Sequence, residues 1–491
     1  MKLTVSLLLL ILSNCAIAQE YFHKKADFVE GVSIGLTIRA HNDRIFIAVS
    51  KVSSNLECAI LAELSATGDT LWTVEIPEID IGINAFYIYD DVITIAGNSE
   101  NRDIFRMARY DLLGNRLGDI IEVFDPQDEF AGMNHQTTIL FQDKVLVAGR
   151  GIQGDSMFSL IYILDSENYS LDSLIRLNPH DRRSVMWDLE VTNNDEFLTF
   201  HDLEEEAGIV DTVYRVINKF DKDFNLIWSY KTEVTDQWDG LFFGVEMEDS
   251  RIAMKAYRPN STDLATSIRV INEDKTIDWQ YDSPFGINGY ETMVNLKQLR
   301  NGDLLAMGRF SELDSLAVKG TMPYLYRLTS DGEVLWRRRY YQLDVEGETS
   351  INGFIRDVIE LDNGDIMGSG EMNFSPFTPQ AFIFKVDSNG CLDPENCGDV
   401  QLITHTDDLF PEIDTQVSLF PNPVEDFLHI DFSYPSSKFE GLTILDGQGS
   451  TVFYSEMSSQ KMYDVSSLPP GIFTAVLRFE NQISTMQFLK L

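Results

Sequence analysis

One short element returns along most of this chain, and it restricts the fold more than any other feature. It is a turn built on Asn, Asp or Gly, then an apolar run. The copies are "NDRIFIAVS" from Asn42, "DDVITIAGN" from Asp90, "QDKVLVAGR" from Gln142, "NDEFLTFHD" from Asn194, "DSRIAMKAY" from Asp249, "NGDLLAMGR" from Asn301 and "NGDIMGSGE" from Asn363. Their starts lie close to fifty residues apart. A second element follows each one after a variable gap: "AELSATGDTLW", "ARYDLLGNRLG", "YILDSENYSLD", "NKFDKDFNLIW", "RVINEDKTIDW", "YRLTSDGEVLW" and "FKVDSNGCLDP". It reads as strand, tight turn, strand, with Trp or another residue at one recurring place.

Two hairpin turns per unit imply about four strands per unit. A lone four-stranded sheet cannot bury both faces, whereas radial packing buries each sheet against its neighbours. The expected fold is therefore all-β: a β-propeller of seven four-stranded blades over residues 19–398, with the recurrent Trp between blades. A β-helix is the weaker rival, because its repeats are shorter. Few segments place apolar residues at i, i+3, i+4 and i+7, so helical folds are excluded.

The N-terminus, "MKLTVSLLLLILSNCAIAQE", has the parts of an export signal. Lys2 supplies the charge, Val5–Leu12 the apolar stretch and Ala16-Ile17-Ala18 the cleavage site, so residues 1–18 read as a signal peptide. The apolar stretch is too short to span a bilayer, and no second long run follows, so no transmembrane helix is expected in the mature chain. "LSNC", ending at Cys15, is a faint rival that would make the chain a lipoprotein. Export bears on the cysteines. Removing the signal leaves Cys58, Cys391 and Cys397; the last two, in "GCLDPENCG", are natural disulfide partners in an oxidising compartment. Cys58 reads as a buried thiol. Against 78 Asp and Glu stand 38 Lys and Arg, a net charge of −40. Such a surface repels nucleic acid and anionic membranes, since phosphate contacts need clustered Lys and Arg.

After Cys397 an acidic, polar stretch, residues 399–415, reads as a linker. Residues 416–491 then alternate apolar and polar, as a small antiparallel β-sandwich does. Here the chain resembles the type A C-terminal sorting domain of type IX secretion cargo from Bacteroidetes. The residues that carry the likeness are Pro421-Asn422-Pro423 with Leu428 and Ile430, Asp446 and Gly449, Asp464-Val465-Ser466 with Leu468, Gly471-Ile472-Phe473, and Phe488-Leu489-Lys490. Phe473 departs from the Tyr that the family often has. The resemblance implies handling by the type IX machinery, passage across the outer membrane, and removal of the domain on release or on attachment to surface polysaccharide.

Signs of chemistry in the main body are sparse. Gly149, Gly151 and Gly154 spell G-x-G-x-x-G, yet a β-rich run follows where a dinucleotide site needs a helix, and Gly97, Gly308 and Gly370 hold the same place in other units. No H-E-x-x-H motif occurs, and no G-x-S-x-G stands at a strand-to-helix elbow. His180-Asp181, His201-Asp202 and Glu204–Glu206 read as solvated turns or loops. "DKDFN" at Asp221 begins like a calcium loop but has Leu226 for the needed Gly and Thr232 for the closing carboxylate. No cofactor is identified; calcium is the one to keep in view. "ELSATGDTLW" and "LTSDGEVLW" resemble the Trp-docking repeats of quinoprotein dehydrogenases, and the sialidase Asp-box is similar too. Both likenesses concern blade construction. Two functions stay open: a binding module for a protein, glycan or surface polymer, and a hydrolase or oxidoreductase whose site is assembled from loops of several blades.

Overall fold

A computed structural model describes residues 21–491 apart from 27, 30–31, 53–56, 82–85, 100–103, 124–137, 154–155, 178–182, 208–209, 233–241, 258–265, 284–288, 315–316, 343–350, 376–377, 404–416, 433–438, 446–450, 457–461 and 480–481. The signal peptide assigned to residues 1–18 lies outside the described residues. Two compact units divide the chain, Met1–Thr404 and His405–Leu491.

The first unit opens with β1 (Phe22–Lys25). Antiparallel groups of four strands, called sheets below, follow in chain order; a parallel bridge between Met157 and Arg183 joins the third and fourth in one eight-stranded sheet, and another between Gly320 and Ile351 joins the sixth and the closing group in one of nine. The first is β2 (Val32–His41), β3 (Arg44–Val52), β4 (Glu57–Leu64) and β5 (Thr70–Ile76). The second is β6 (Phe86–Tyr89), β7 (Val92–Asn98), β8 (Phe105–Asp111) and β9 (Ile121–Val123). The third is β10 (Thr138–Phe141), β11 (Lys144–Gln153), β12 (Ser156–Asp165) and β13 (Leu171–Leu177). The fourth is β14 (Arg183–Val191), β15 (Phe197–Ala207), β16 (Val210–Phe220) and β17 (Leu226–Lys231). The fifth is β18 (Gly244–Glu246), β19 (Ile252–Tyr257), β20 (Thr266–Ile271) and β21 (Ile277–Asp282). The sixth is β22 (Gly289–Gln298), β23 (Leu304–Asp314), β24 (Ala317–Leu328) and β25 (Val334–Gln342).

The closing sheet has three strands from the far end, β26 (Ile351–Glu360), β27 (Ile366–Ser375) and β28 (Thr378–Val386), and takes its fourth from the other end of the unit. β1 pairs antiparallel with β28, Phe22 opposite Lys385 and Lys25 opposite Phe382. Strands from both ends of the domain thus share one sheet, and β1 covers the edge that β28 would otherwise expose. One apolar cluster joins Ile38 and Ile47 of the first sheet to Met367, Ile383 and Phe22 of the closing sheet. This is the β-propeller architecture, with apolar clusters shared between neighbouring sheets rather than held within one.

Local chemistry explains the turns. The first two hairpins place Asn42, Asp43, Asp90 and Asp91 at positive φ, which Asn and Asp tolerate better than other side-chain-bearing residues. The recurrent Trp locks sheets together. Trp279 of the fifth sheet lies on the turn glycine of the sixth, Gly332, whose φ is +86° and whose missing Cβ would stand 2.8 Å from the indole. Its Nε1–H donates to the Ser330 carbonyl at 3.0 Å. Trp72 with Gly114 and Trp336 with Gly390 repeat the arrangement.

One boundary needs correction. Residues 399–415 were expected to be linker, but Val400–Ile403 form β29, parallel to β25, and the Arg339 amide donates to the Asp399 carbonyl at 2.9 Å. The outer edge of β25 was free to accept a strand, and "VQLI" supplies one. The remainder of that stretch, from Thr404, lies outside the described residues.

The second unit has β30 (Val417–Phe420), β31 (Phe427–Phe432), β32 (Phe439–Leu445), β33 (Thr451–Glu456), β34 (Met462–Asp464), β35 (Gly471–Phe479) and β36 (Gln482–Lys490). They form two sheets, β30-β31-β34 and β33-β32-β35-β36. Leu428 and Ile430 of the one and Leu442, Ala475 and Phe488 of the other share a single apolar cluster.

Candidate functional site

The first strand of a propeller sheet bulges at one recurring place: between Gly35 and Thr37, Met186 and Asp188, Met293 and Asn295, and Ile355 and Asp357. The polar side chain after the bulge accepts from the next amide. Asp188 Oδ1 takes Leu189 N at 3.0 Å, Asn295 Oδ1 takes Leu296 N at 2.8 Å, and Asp357 Oδ1 takes Val358 N at 3.0 Å. The recurrent strand glycine answers the same bulge. A Cβ on Gly308 would fall 2.0 Å from the Thr292 carbonyl oxygen, and one on Gly370 would fall 1.9 Å from that of Phe354. Only glycine lets the bulged backbone lean that close. Gly149, in turn, sits within β11 opposite Leu160, and no helix follows it.

These first strands converge. Arg39 (β2), Ile139 (β10), Glu190 (β14), Val245 (β18) and Lys297 (β22) line one cavity of about 300 Å³. At its side Asp357, fully buried, accepts from Arg39 Nη1 at 2.6 Å, from the Ile38 amide at 3.1 Å, and from Lys297 Nζ. Burial alone would raise the Asp357 carboxyl, but the charges of Lys297 and Arg39 outweigh it and hold the group below its ordinary value. Burial lowers Lys297, and the nearby Arg39 adds to this against the pull of Asp357. Across the cavity, burial pushes Glu190 up to about 7, with Lys297 and Arg39 opposing and Glu246 reinforcing. Among the described residues the lining holds no His, Cys or Ser, and one hydroxyl, that of Thr138. Arg39, Lys297 and Glu190 present both signs of charge to the cavity, beside the buried Asp357.

Sequence reasoning passed over this cluster, although a signal was present. Asp188, Asn295 and Asp357 each stand six residues before the Asn of their turn, at 194, 301 and 363. Other expectations need correction. His201 and Asp202 are not in a solvated turn: both lie in β15, 0% and 1% exposed, and burial drives the imidazole down to about 3. Glu204–Glu206 continue the same strand, opposite Val213 to Asp211 of β16. Asp221 spends its carboxylate on its own turn, accepting from the Asp223 and Asn225 amides at 2.9 and 2.8 Å. Among the described residues, no group of three or more His, Cys, Asp or Glu could hold a metal. His180 and Asp181 lie outside the described residues. Cys58 is buried and free, and burial pushes its thiol up to about 11. Cys391 and Cys397 are joined in the structure, Cα atoms 5.4 Å apart, across the one-turn 3-10 helix Pro394–Asn396.

The motif residues of the second unit meet across its full length. Pro421 and Pro423 both follow cis peptide bonds. Between them Asn422 Oδ1 accepts from the Leu489 amide at 2.9 Å, and the Val424 amide donates to the Leu489 carbonyl at 2.8 Å. Asp464 Oδ1 takes the Ser466 amide at 3.0 Å, and Leu468 enters the shared cluster. Gly471 pairs with Lys490, which is 7% exposed, and Phe473 stacks with Phe488 at 5.8 Å. Asp446 and Gly449 lie outside the described residues.

Residues 418–490 match the family described as the secretion system C-terminal sorting domain. A type IX sorting domain implies export to the cell surface or the medium. The search of curated proteins found no match to this chain. Among solved structures, the chain is similar to the β-propeller domain of the Trilobed protease from Pyrococcus furiosus, at 10% identity and a TM-score of 0.43, covering 73% of this chain and 95% of that one. It is similar also to the acylaminoacyl peptidase of Pyrococcus horikoshii, at 12% identity and a TM-score of 0.42, covering 82% of this chain and 57% of that one. A puromycin hydrolase is a third, at 10% identity and a TM-score of 0.44, covering 79% and 57%. The chain thus spans a little over half the length of the last two. Among the described residues no helix is long and apolar enough to cross a membrane.

Proposed function

We propose that this chain is a type IX cargo whose exported body is a binding module. In this reading residues 1–18 are the signal peptide, residues 19–403 form a closed propeller of seven blades, and residues 416–491 form a small β-sandwich that the secretion machinery recognises. The match at residues 418–490 carries the export half. The binding half draws on the cavity at the meeting of the first strands, where Arg39, Lys297 and Glu190 offer both signs of charge. A hydrolase or oxidoreductase reading would draw on Glu190, whose carboxyl titrates near neutrality. It would also need a partner group from loops outside the described residues.

The test is location. Expressed in a host with a type IX machinery, the full chain should reach the surface or medium, and a chain ending at Thr404 should stay in the periplasm. Normal secretion of the shortened chain would overturn the reading. In the exported protein Cys391 and Cys397 are taken to be bonded, so their unreduced tryptic peptide should be two hydrogens lighter than its reduced form.

A further inference from the structure

The second and third propeller sheets meet without the Trp that locks several of the other junctions. In the first, fourth, fifth and sixth sheets a Trp stands at one register on the outer strand: Trp72 opposite Glu63, Trp228 opposite Lys219, Trp279 opposite Val270 and Trp336 opposite Arg327. In the second sheet Gly118, with φ +84°, holds the matching place, the Leu117 amide donates to the Arg109 carbonyl at 2.8 Å, and β9 starts later. Among the described residues no Trp covers the junction from that side.

The turn facing it is also altered. Elsewhere this turn closes over four residues, as Ser65 to Asp69, Asp111 to Asn115 or Thr329 to Glu333. In the third sheet it closes from Asp165 to Ser170, one residue longer. At the place of Gly68, Gly114, Gly332 and Gly390 stands Tyr169, with φ +60°, as Phe224 and Lys275 stand in the fourth and fifth sheets at +65° and +68°. The Tyr169 ring is 5% exposed, its hydroxyl 3.0 Å from Thr94 Oγ1 and 3.4 Å from the Tyr87 hydroxyl.

A third irregularity falls on the same spot. In other sheets the residue after the first turn pairs with a charge on the third strand: Arg44 with Glu63, Glu196 with Lys219, Asp303 with Arg327, Asp365 with Lys385. In the second sheet Val92 holds that place. Arg109 is left with no carboxylate in ion-pair range among the described residues. Its Nη1 reaches the Glu167 carbonyl at 3.3 Å, its Nε is buried without an acceptor, and its guanidinium lies 5.4 Å from the centre of the Tyr169 ring.

Together these changes open a cavity of about 530 Å³. Tyr169 and Thr94 form its floor, Tyr87 and Arg109 its wall, and Tyr89, 51% exposed, its lip. The exposed carboxylates of Asp90, Asp143 and Glu167 ring the mouth.

We propose that this cavity is a binding site for a neutral saccharide, distinct from the cavity where the first strands converge. The C–H face of a pyranose packs on Tyr89, its hydroxyls donate to the carboxylates at the mouth, and Arg109 donates to a sugar oxygen. A polyanion would meet those carboxylates and the net charge of −40. A flat apolar ligand would leave the Arg109 donor unmet, which is costly when buried.

Calorimetric titration of the full chain with maltohexaose, cellohexaose, mannohexaose and xylohexaose tests this, with a galacturonate hexamer as the acidic arm. At least one neutral hexaose should bind. Tyr89→Ala and Arg109→Gln should each weaken that binding at least about tenfold. Ile277→Ala, an exposed apolar position on β21, should leave it unchanged. Because Tyr89 is half exposed, its Ala variant should keep the melting temperature, so loss of binding reports on the site rather than the fold. Absence of binding by all four neutral hexaoses, binding of the galacturonate alone, or equal affinity in Tyr89→Ala would overturn the proposal.

Discussion

Glu291, 3% exposed, accepts from Ser283 Oγ and, at 3.4 Å, from the Tyr326 hydroxyl. Burial pushes its carboxyl from 4.5 up to about 7, against hydrogen bonds from Ser283, Tyr324 and Tyr326 and the charge of Arg337. The folded state therefore keeps a proton that the unfolded chain loses near its ordinary value, and between those pH values the unfolded state binds fewer protons. Stability from this group is full below about pH 4.5 and falls as the pH rises to about 7, by about 3 kcal/mol at most. Urea unfolding of Glu291→Gln beside the unaltered protein should show the latter losing ground across that window and no further above it; parallel profiles would refute the assignment. His201 works with the opposite sign, since a buried neutral imidazole resists acid. Neither role was legible in the sequence. "FHDLEEE" looks like a polar turn, and only pairing on both sides of β15 turns His201 and Asp202 inward.

At the scale of elements, the strand–turn–strand units were readable because turn chemistry and short apolar runs are local signals. The Trp lock was readable too, and it carries a prediction. Trp336 is 8% exposed and covers Gly390, so Trp336→Ala should cost about 3–5 kcal/mol in chemical denaturation; a loss below about 1 kcal/mol would show that the cluster collapses around the gap. β29 was not readable. Four residues in an acidic stretch resemble a linker, and their partner β25 is distant in the chain. Truncation after Gly398 should therefore lower the melting temperature of the first unit, while truncation after Thr404 should leave it nearly unchanged. Equal melting temperatures for the two would mean that β29 contributes nothing to the edge it covers.

For the molecule as a whole, β1 decides whether the ring is closed. Starting the mature chain at Ala26 removes Phe22 from the cluster between the first and closing sheets and exposes the edge of β28. Destabilisation by more than about 3 kcal/mol, read as an earlier urea midpoint with faster proteolysis, is expected; an unchanged midpoint would mean that β1 does not tie the ring. The sequence by itself determined the all-β class, the repeat and the sorting domain, because each is written in spacing, turn residues or motifs along the chain. Only the tertiary structure decided that β1 completes the last sheet, that Arg39, Lys297 and Asp357 meet, and that Arg109 faces a cavity with no carboxylate in ion-pair range among the described residues. The physical reason is that charge pairing and burial depend on which strands become neighbours. In a ring closed by strands from opposite ends of the domain, the deciding neighbours, such as Arg39 and Asp357, are more than three hundred residues apart.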